Sequence, residues 1–280
     1  MNRVIDILDG PVGTELLRRG VPTPLPGWSA SASLETPDVL RQIHRDYARA
    51  GARFHTTNTF RTKQRTLGDA WRSSALAAVR SARDAMPEGH VLLGSIAPLE
   101  DCYAPHLSPA NDDPEGARVE HRALIEFLAE YVDVLLVETF PHALEARIAT
   151  EVAAATSLPV WTALTPGPDA TLMTPTALAE AARQAREVGA SRVFVNCVAA
   201  ELALPYVDAL AALGIPFGIY ANAGAPEDAM GWRALDEAPE AAAERYLEHA
   251  KRWAERGACC IGSCCGTGPQ HIAALATLNR

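Results

Sequence analysis

Apolar positions fall into short continuous runs separated by longer stretches in which they recur every three or four residues. Val4-Ile5-Asp6-Ile7-Leu8 is the first run. Its β-branched composition and the Asp9-Gly10 that ends it predict a strand with a carboxylate at its C-terminal end. Pro11-Val12-Gly13-Thr14 has loop chemistry, and Pro22, Pro24 and Pro26 make a further loop around Trp28. Thr36-Pro37 then opens an amphipathic helix that runs to about Ala50, where Gly51 stops it. The alternation continues with a strand over Arg53-Phe54-His55-Thr56-Thr57, a loop at Asn58, a helix from about Gly68 to Met86 and a strand over His90 to Ser95.

A long polar segment, Pro98 through Pro114, precedes a helix to about Tyr131 and a strand over Val134 to Glu138. The pattern then predicts a helix from Pro141 to Thr156 and a strand from Val160 to Ala163. Helix Thr174 to Val188 leads to strand Arg192 to Asn196, with Cys197 directly after it. Helix Glu201 to Leu213, strand Phe217 to Tyr220, helix Ala238 to Arg256, strand Ala258 to Gly262 and helix Pro269 to Leu278 complete the chain.

Eight strands, each followed by a helical pattern and none set apart by a linker, predict an α/β fold. Strands that are nearly all apolar belong to a parallel sheet buried on both faces. Eight such units in 280 residues fit a (β/α)8 TIM barrel, a single domain over residues 1–280. A doubly wound open sheet usually carries a glycine-rich phosphate loop after its first strand, and Asp9 to Thr14 does not match one.

Charge and composition narrow the partners. A net charge of -9 argues against a nucleic-acid or anionic-membrane surface and leaves small molecules as the expected ligands. No apolar run approaches the ~20 residues that span a bilayer, and the N-terminus lacks a signal-peptide core. A cytoplasmic setting is therefore expected, in which the six cysteines serve as ligands or core residues rather than as disulfides.

In a barrel the C-terminal strand ends meet at one face, so Asp9, Asn58, Glu138, Asn196-Cys197, Asn222 and Cys264-Cys265 are expected to converge. Two vicinal cysteines on a glycine-bracketed turn can reach one soft cation from the same side, and Cys197 can join them around Zn2+. Three thiolates leave the metal cluster anionic, which suits activation of a substrate sulfur better than activation of water. Asp9 and Glu138 are placed to hold an ammonium group, and the backbone of the Gly10 to Thr14 loop to hold a carboxylate. These features describe a pocket for a thiol-bearing amino acid, with no catalytic residue expected beyond the metal site.

The chain resembles the homocysteine S-methyltransferase family, the zinc-dependent barrel shared with betaine–homocysteine methyltransferase and the homocysteine module of cobalamin-dependent methionine synthase. The resemblance rests on Leu8 to Leu16, Thr57-Asn58-Thr59-Phe60, Val137-Glu138-Thr139, Asn196-Cys197, Asn222-Ala223-Gly224 and Gly262 to Ile272. It implies that Cys197, Cys264 and Cys265 ligate zinc, that Asp9 and Glu138 bind the amino group of homocysteine, and that Gly10, Asn58 and Asn196 complete the substrate site. The implied reaction is attack of zinc-bound homocysteine thiolate on an activated methyl group to give methionine. Pro11 stands where the family usually has a small residue and removes one loop N–H, and Ala221 stands where a proline is common.

No cobalamin or folate module is expected after Arg280, nor a betaine enzyme's C-terminal arm. The expected donor is therefore a sulfonium, S-adenosylmethionine or S-methylmethionine. Acceptors other than homocysteine include selenohomocysteine. A non-catalytic zinc-binding or thiol redox barrel is the alternative; a Schiff-base lyase is disfavoured because neither lysine, Lys63 or Lys251, falls at a strand end. Cys102, Cys259 and Cys260 read as core residues, and His55 as a satisfied core histidine. His271 reads as a brace for the cysteine loop, and Trp28, Tyr103 and Trp232 are candidates for lining the donor side.

Overall fold

The computed structural model describes residues 4–226, 232–233 and 238–279. The barrel strands are β1 (Asp6–Ile7), β2 (Phe54–Thr56), β3 (Val91–Ile96), β4 (Val134–Phe140), β5 (Val160–Leu164), β6 (Arg192–Ala199), β7 (Phe217–Asn222) and β10 (Cys260–Ser263). A short antiparallel pair, β8 (Ala225–Pro226) and β9 (Trp232–Arg233), is inserted after β7. The eight barrel strands are all parallel, in the order β1-β10-β7-β6-β5-β4-β3-β2. A parallel bridge from Leu8 to Phe54 joins the last strand to the first. The expected (β/α)8 barrel is the fold observed.

The helices are α1 (Val12–Arg18), α2 (Ala32–Glu35), α3 (Pro37–Ala50), α4 (Gln64–Leu67), α5 (Trp71–Arg83), α6 (Pro114–Ala129), α7 (Ala143–Ala154), α8 (Pro175–Glu187), α9 (Leu204–Ala211), α10 (Pro239–Glu255) and α11 (Pro269–Leu275). Helix α3 shows how local chemistry sets their limits. Pro37 occupies its first turn, and Gly51 ends it in the left-handed conformation that glycine adopts without a Cβ penalty. Leu40, Ile43, His44 and Tyr47 form its buried face at helical spacing. Asp113 and Thr174 cap α6 and α8 by accepting from Gly116 N and Ala177 N, each ahead of a proline.

Two differences from the sequence expectation bear on the site. Residues 12–18 form a helix where a loop was expected, because Pro11 takes an extended conformation just ahead of it and Glu15 is fixed by Arg18 and Arg19. Strand β6 runs past Cys197 to Ala199 instead of ending at Asn196.

Inside the barrel Leu8, Leu93, Leu136, Trp161, Phe194, Tyr220 and Cys260 pack into one layered cluster, with Phe54 at its edge. Its aromatic rings follow one another from Phe54 to Trp161 (5.3 Å), Phe194 (5.3 Å) and Tyr220 (5.9 Å). Each such ring removes roughly 150–250 Å² from water, so this column packs the barrel interior, and Tyr220 at its end lines the pocket. A larger cluster lies between strands and helices, where Tyr246 and Trp253 of α10 meet edge to face at 5.5 Å.

Candidate active site

The C-terminal mouth of the barrel holds a pocket whose wall includes Asp9, Gly10, Asn58, Glu138, Cys197, Cys264 and Cys265. Residues far apart in sequence are therefore brought together as the barrel topology requires. Asn196 and Asn222 are the exceptions: both are fully buried and neither lines the pocket. Tyr103 and Trp28 line the pocket, while the side chain of Trp232 lies outside the described residues.

Two bulges aim the side chains at this mouth. The β4–β5 register shifts between Val137 and Phe140, and the β6–β7 register between Asn196 and Ala199. Thr139 and Cys197 sit in those irregularities at φ values of 63° and 53°. A left-handed residue other than glycine costs of order 1–3 kcal/mol, a strain that functional sites store when their surroundings enforce it. Here the Asn196 amide enforces it, donating to Thr139 Oγ1 at 2.7 Å and lying 3.4 Å from Cys197 Sγ.

Cys197 Sγ lies 2.8 Å from Cys264 Sγ, and both are free thiols together with Cys265. The cysteine turn is held from several sides. Cys264 N donates to Ala221 O, Ala223 N donates to Cys265 O, and Thr267 Oγ1 donates to Cys264 O. Gly266 has φ 79°, and a Cβ there would stand 1.6 Å from Ala223 O, so only glycine allows the turn to lie against β7. Arg18 links α1 to the turn through Thr267 O, and His271 Nδ1 accepts from Gly268 N as part of the cap of α11. His271 thus braces the helix that carries the turn.

As free thiols Cys197 and Cys264 are held protonated. The Cys264 pKa is pushed well up by its contacts with Cys197 and Cys265 and by burial. For Cys197 the bond to Cys264 works the other way, but burial and the nearby acidic groups prevail and raise it. A soft divalent cation reverses that balance, since it binds thiolate. Three cysteines with sulfur as the donor fit zinc chemistry. Cys102 is buried as expected of a core residue, and it also lines the pocket. Cys260 packs in the barrel interior, and Cys259 Sγ donates to Phe217 O.

The same pocket wall carries two buried carboxyls. Glu138 accepts from the Tyr220 hydroxyl at 3.0 Å and from Ser95 Oγ. Burial raises its pKa to about 6 against the lowering effect of those bonds. Asp9 accepts from Thr56 N at 2.9 Å and Thr56 Oγ1 at 3.0 Å, and burial raises it to about 8. Two buried carboxyls short of a cation are arranged to receive one. Asn58 has its hydrogen bonds committed: its amide donates to Ser29 O and Ser33 Oγ, and its oxygen accepts from Ser29 Oγ. It holds the segment that carries Trp28, whose ring packs so close to Gly13 that a Cβ there would lie 2.2 Å away.

The polar segment after β3 is pinned over the mouth by Glu145, which accepts from Leu99 N, Ser108 Oγ and His121 Nε2. Tyr220, Ser95, Thr56 and Glu145 were not singled out in the sequence. Each sits within a strand or helix pattern that reads as structure, and the signal that finds them is their contact with the strand-end carboxyls and cysteines.

Comparison with known proteins agrees with this geometry. The family model described as homocysteine S-methyltransferase matches residues 6–278. The chain belongs to the homocysteine S-methyltransferase family. It is 30% identical to homocysteine S-methyltransferase of Escherichia coli strain K12, over 96% of this chain and 93% of that one. It is 29% identical to S-methylmethionine–homocysteine S-methyltransferase BHMT2 of Pongo abelii, over 89% of this chain and 71% of that one. Among solved structures, the metallated form of the homocysteine methyltransferase MmuM from Escherichia coli superposes with a TM-score of 0.79 at 25% identity, covering 98% of this chain and 96% of that one. The chain is accordingly a methyltransferase.

Proposed function

We propose that the barrel, taken as one homocysteine-binding unit over residues 1–280, transfers a methyl group from a sulfonium donor to the thiolate of homocysteine, giving methionine. The observation that carries this reading is the shared pocket of Asp9, Glu138, Cys197, Cys264 and Cys265. A thiol-bearing amino acid needs an anionic partner for its ammonium and a soft metal site for its sulfur, and this wall offers both. Cys197, Cys264 and Cys265 would hold Zn2+, a proposal supported by the donor chemistry and by the metallated state of the similar structure. When bound, the metal supplies a lowered pKa for the incoming thiol while leaving its sulfur nucleophilic.

The chain's own residues do the rest. Glu138, oriented by Tyr220 and Ser95, and Asp9, oriented by Thr56, take the ammonium group. Gly10 gives the amino-acid backbone close approach at the mouth, and Asn196 acts through Cys197 and Thr139 rather than by touching substrate. Asn58 acts through the Trp28 segment. The thiol proton is lost to solvent, the new S–CH3 bond forms as the donor's S–CH3 bond breaks, and the donor leaves as a neutral thioether. No acid is needed for that leaving group.

S-adenosylmethionine and S-methylmethionine are the donors favoured by an anionic pocket with the Trp28, Phe60 and Tyr103 rings in its wall, because aromatic faces attract sulfonium as they do ammonium. The name of the Pongo abelii relative supports S-methylmethionine. Six free thiols support a reducing, cytoplasmic setting. Among the described residues no helix is long and apolar enough to cross a membrane.

The test is incubation of zinc-loaded protein with homocysteine and, in parallel, methyl-labelled S-adenosylmethionine, S-methylmethionine and betaine, followed by mass spectrometry of methionine. Label from a sulfonium donor is expected. Label from betaine alone overturns the donor, and no labelled methionine from any of them overturns the reaction.

A further inference from the structure

Behind the pocket wall lies a second polar cluster that the methyl-transfer reading does not use. His44 comes from the buried face of α3 and His55 from β2, and both are completely buried. Phe54, one residue before His55, packs at the edge of the barrel interior, so the strand's alternation turns His55 toward α3. The two rings meet edge to face at 6.3 Å. Both ring nitrogens of His44 and Nδ1 of His55 have no hydrogen-bond partner. Buried polar atoms are nearly always satisfied, so three orphans in one cluster call for a missing occupant.

The third member is Asp9. One ligand atom from each of Asp9, His44 and His55 lies within 4.8 Å of the other two, the one trio of its kind found among the described residues. The three pocket cysteines are not drawn together that closely. We propose that Asp9, His44 and His55 form a second metal site, on the helix side of β1 and β2, that takes a borderline divalent transition ion such as Zn2+ or Co2+.

Two histidines and one carboxylate are an established donor set for such ions. Bonds of about 2.1 Å place neighbouring ligands about 3.4 Å apart, so ring rotation and a shift of roughly 1 Å close the cluster. His90 supplies the outer contact that metal-bound imidazoles usually have: its Nδ1 lies 2.9 Å from His55 Nε2, and the tautomer in which Nε2 donates to His90 is the one that leaves Nδ1 to ligate. Burial lowers the pKa of His44 to about 4 and of His55 to about 3, keeping both rings in the neutral form that ligates. A bridging water is the other occupant such a cluster takes, and counting metal distinguishes the two. Asp9 faces the pocket as well, so a cation here opposes an acceptor ammonium across one carboxylate, and the site belongs to the acceptor-free enzyme. That last consequence rests on the proposed role of Asp9; the metal site itself does not.

The experiment is Co2+ loading of the full chain without homocysteine, with metal counted by elemental analysis and followed by absorption. A further equivalent beyond the thiolate-bound one is expected in the wild type, with weak d–d bands and no sulfur charge transfer. It is expected to disappear in His44→Ala and His55→Ala, to persist in Cys264→Ser, and to bind about 10-fold more weakly in His90→Ala, a change on a half-buried ring that leaves the fold intact. Absence of that equivalent in the wild type overturns the proposal, as does its unchanged binding in all three histidine variants. Failure of the thiolate site is read separately, as loss of the charge-transfer band.

Discussion

The Tyr220 hydroxyl donates to Glu138 across the barrel mouth at 3.0 Å, from the residue that tops the aromatic column filling the barrel. The pair ties core packing to the proposed ammonium site. Tyr220→Phe keeps the packing and removes a hydrogen bond to a charged group, typically ~1.5–3 kcal/mol. Glu138, already raised to about 6 by burial, should rise further, since the Tyr220 bond is one of the contacts that lower it. Homocysteine affinity should therefore weaken as pH falls through about 6 in the wild type, and at a higher pH in the variant. The stability linkage has the opposite sense: with the folded pKa raised, the contribution of Glu138 is present below the ordinary carboxyl range and is lost as pH rises through about 6. Calorimetric titrations across pH check this, and superimposable profiles for the two proteins would contradict the role of Tyr220.

Cys264→Ser should remove thiolate-bound zinc and methyl transfer together while the barrel remains folded. Cys264 is only partly buried at the mouth, and serine is nearly isosteric, so the core is untouched. A hard hydroxyl is a poor ligand for this ion beside two thiolates. The checks are zinc content, activity and far-UV circular dichroism on one preparation. A variant that kept stoichiometric thiolate-bound zinc would sink the ligand assignment.

The barrel was legible because parallel strands buried on both faces read as continuous apolar runs, and Gly51 and the helix-opening prolines punctuate them. The convergence of Asp9, Glu138, Cys197, Cys264 and Cys265 followed from strand ends alone. The bulges at Thr139 and Cys197 were not legible, since neither residue is one that favours positive φ. Their geometry is imposed by the Asn196 amide, a tertiary contact between two strands. Helix α1 was hidden by Pro11, which caps it in an extended conformation, and by Gly13, whose missing Cβ leaves room for the Trp28 ring and does not mark a turn. His44 was hidden by its place in the apolar stripe of α3, and Cys102 by the ordinary preference of cysteine for the core.

Gly266→Ala tests whether the cysteine turn depends on its seat against β7. The new Cβ would stand 1.6 Å from Ala223 O, a backbone atom that cannot swing away, at a φ of 79° that alanine avoids. The turn must move, and the hydrogen bond from Ala223 N to Cys265 O goes with it. The expected cost is about 2 kcal/mol or more, with thiolate-bound zinc reduced in step. Thermal melts and metal analysis measure both. A melting point within about 2 °C of wild type with full zinc would show that the turn has another way to lie.

Glu145 offers a test at the acid end. Burial alone would raise its pKa, but the His121 bond, Leu99 N and Ser108 Oγ together pull it down to about 2. A carboxylate whose folded pKa is depressed adds stability that is present above the ordinary carboxyl range and disappears as pH falls toward 2. Glu145→Gln should therefore cost about 2–3 kcal/mol at neutral pH, leave one of the three donors poorly matched, and flatten the acid limb of the stability curve. Because these donors pin residues 99 and 108 on either side of Cys102 and Tyr103, hydrogen exchange should quicken over that segment first. Equal loss of protection across the whole barrel would instead mean that Glu145 supports the fold at large and not the cover of the mouth.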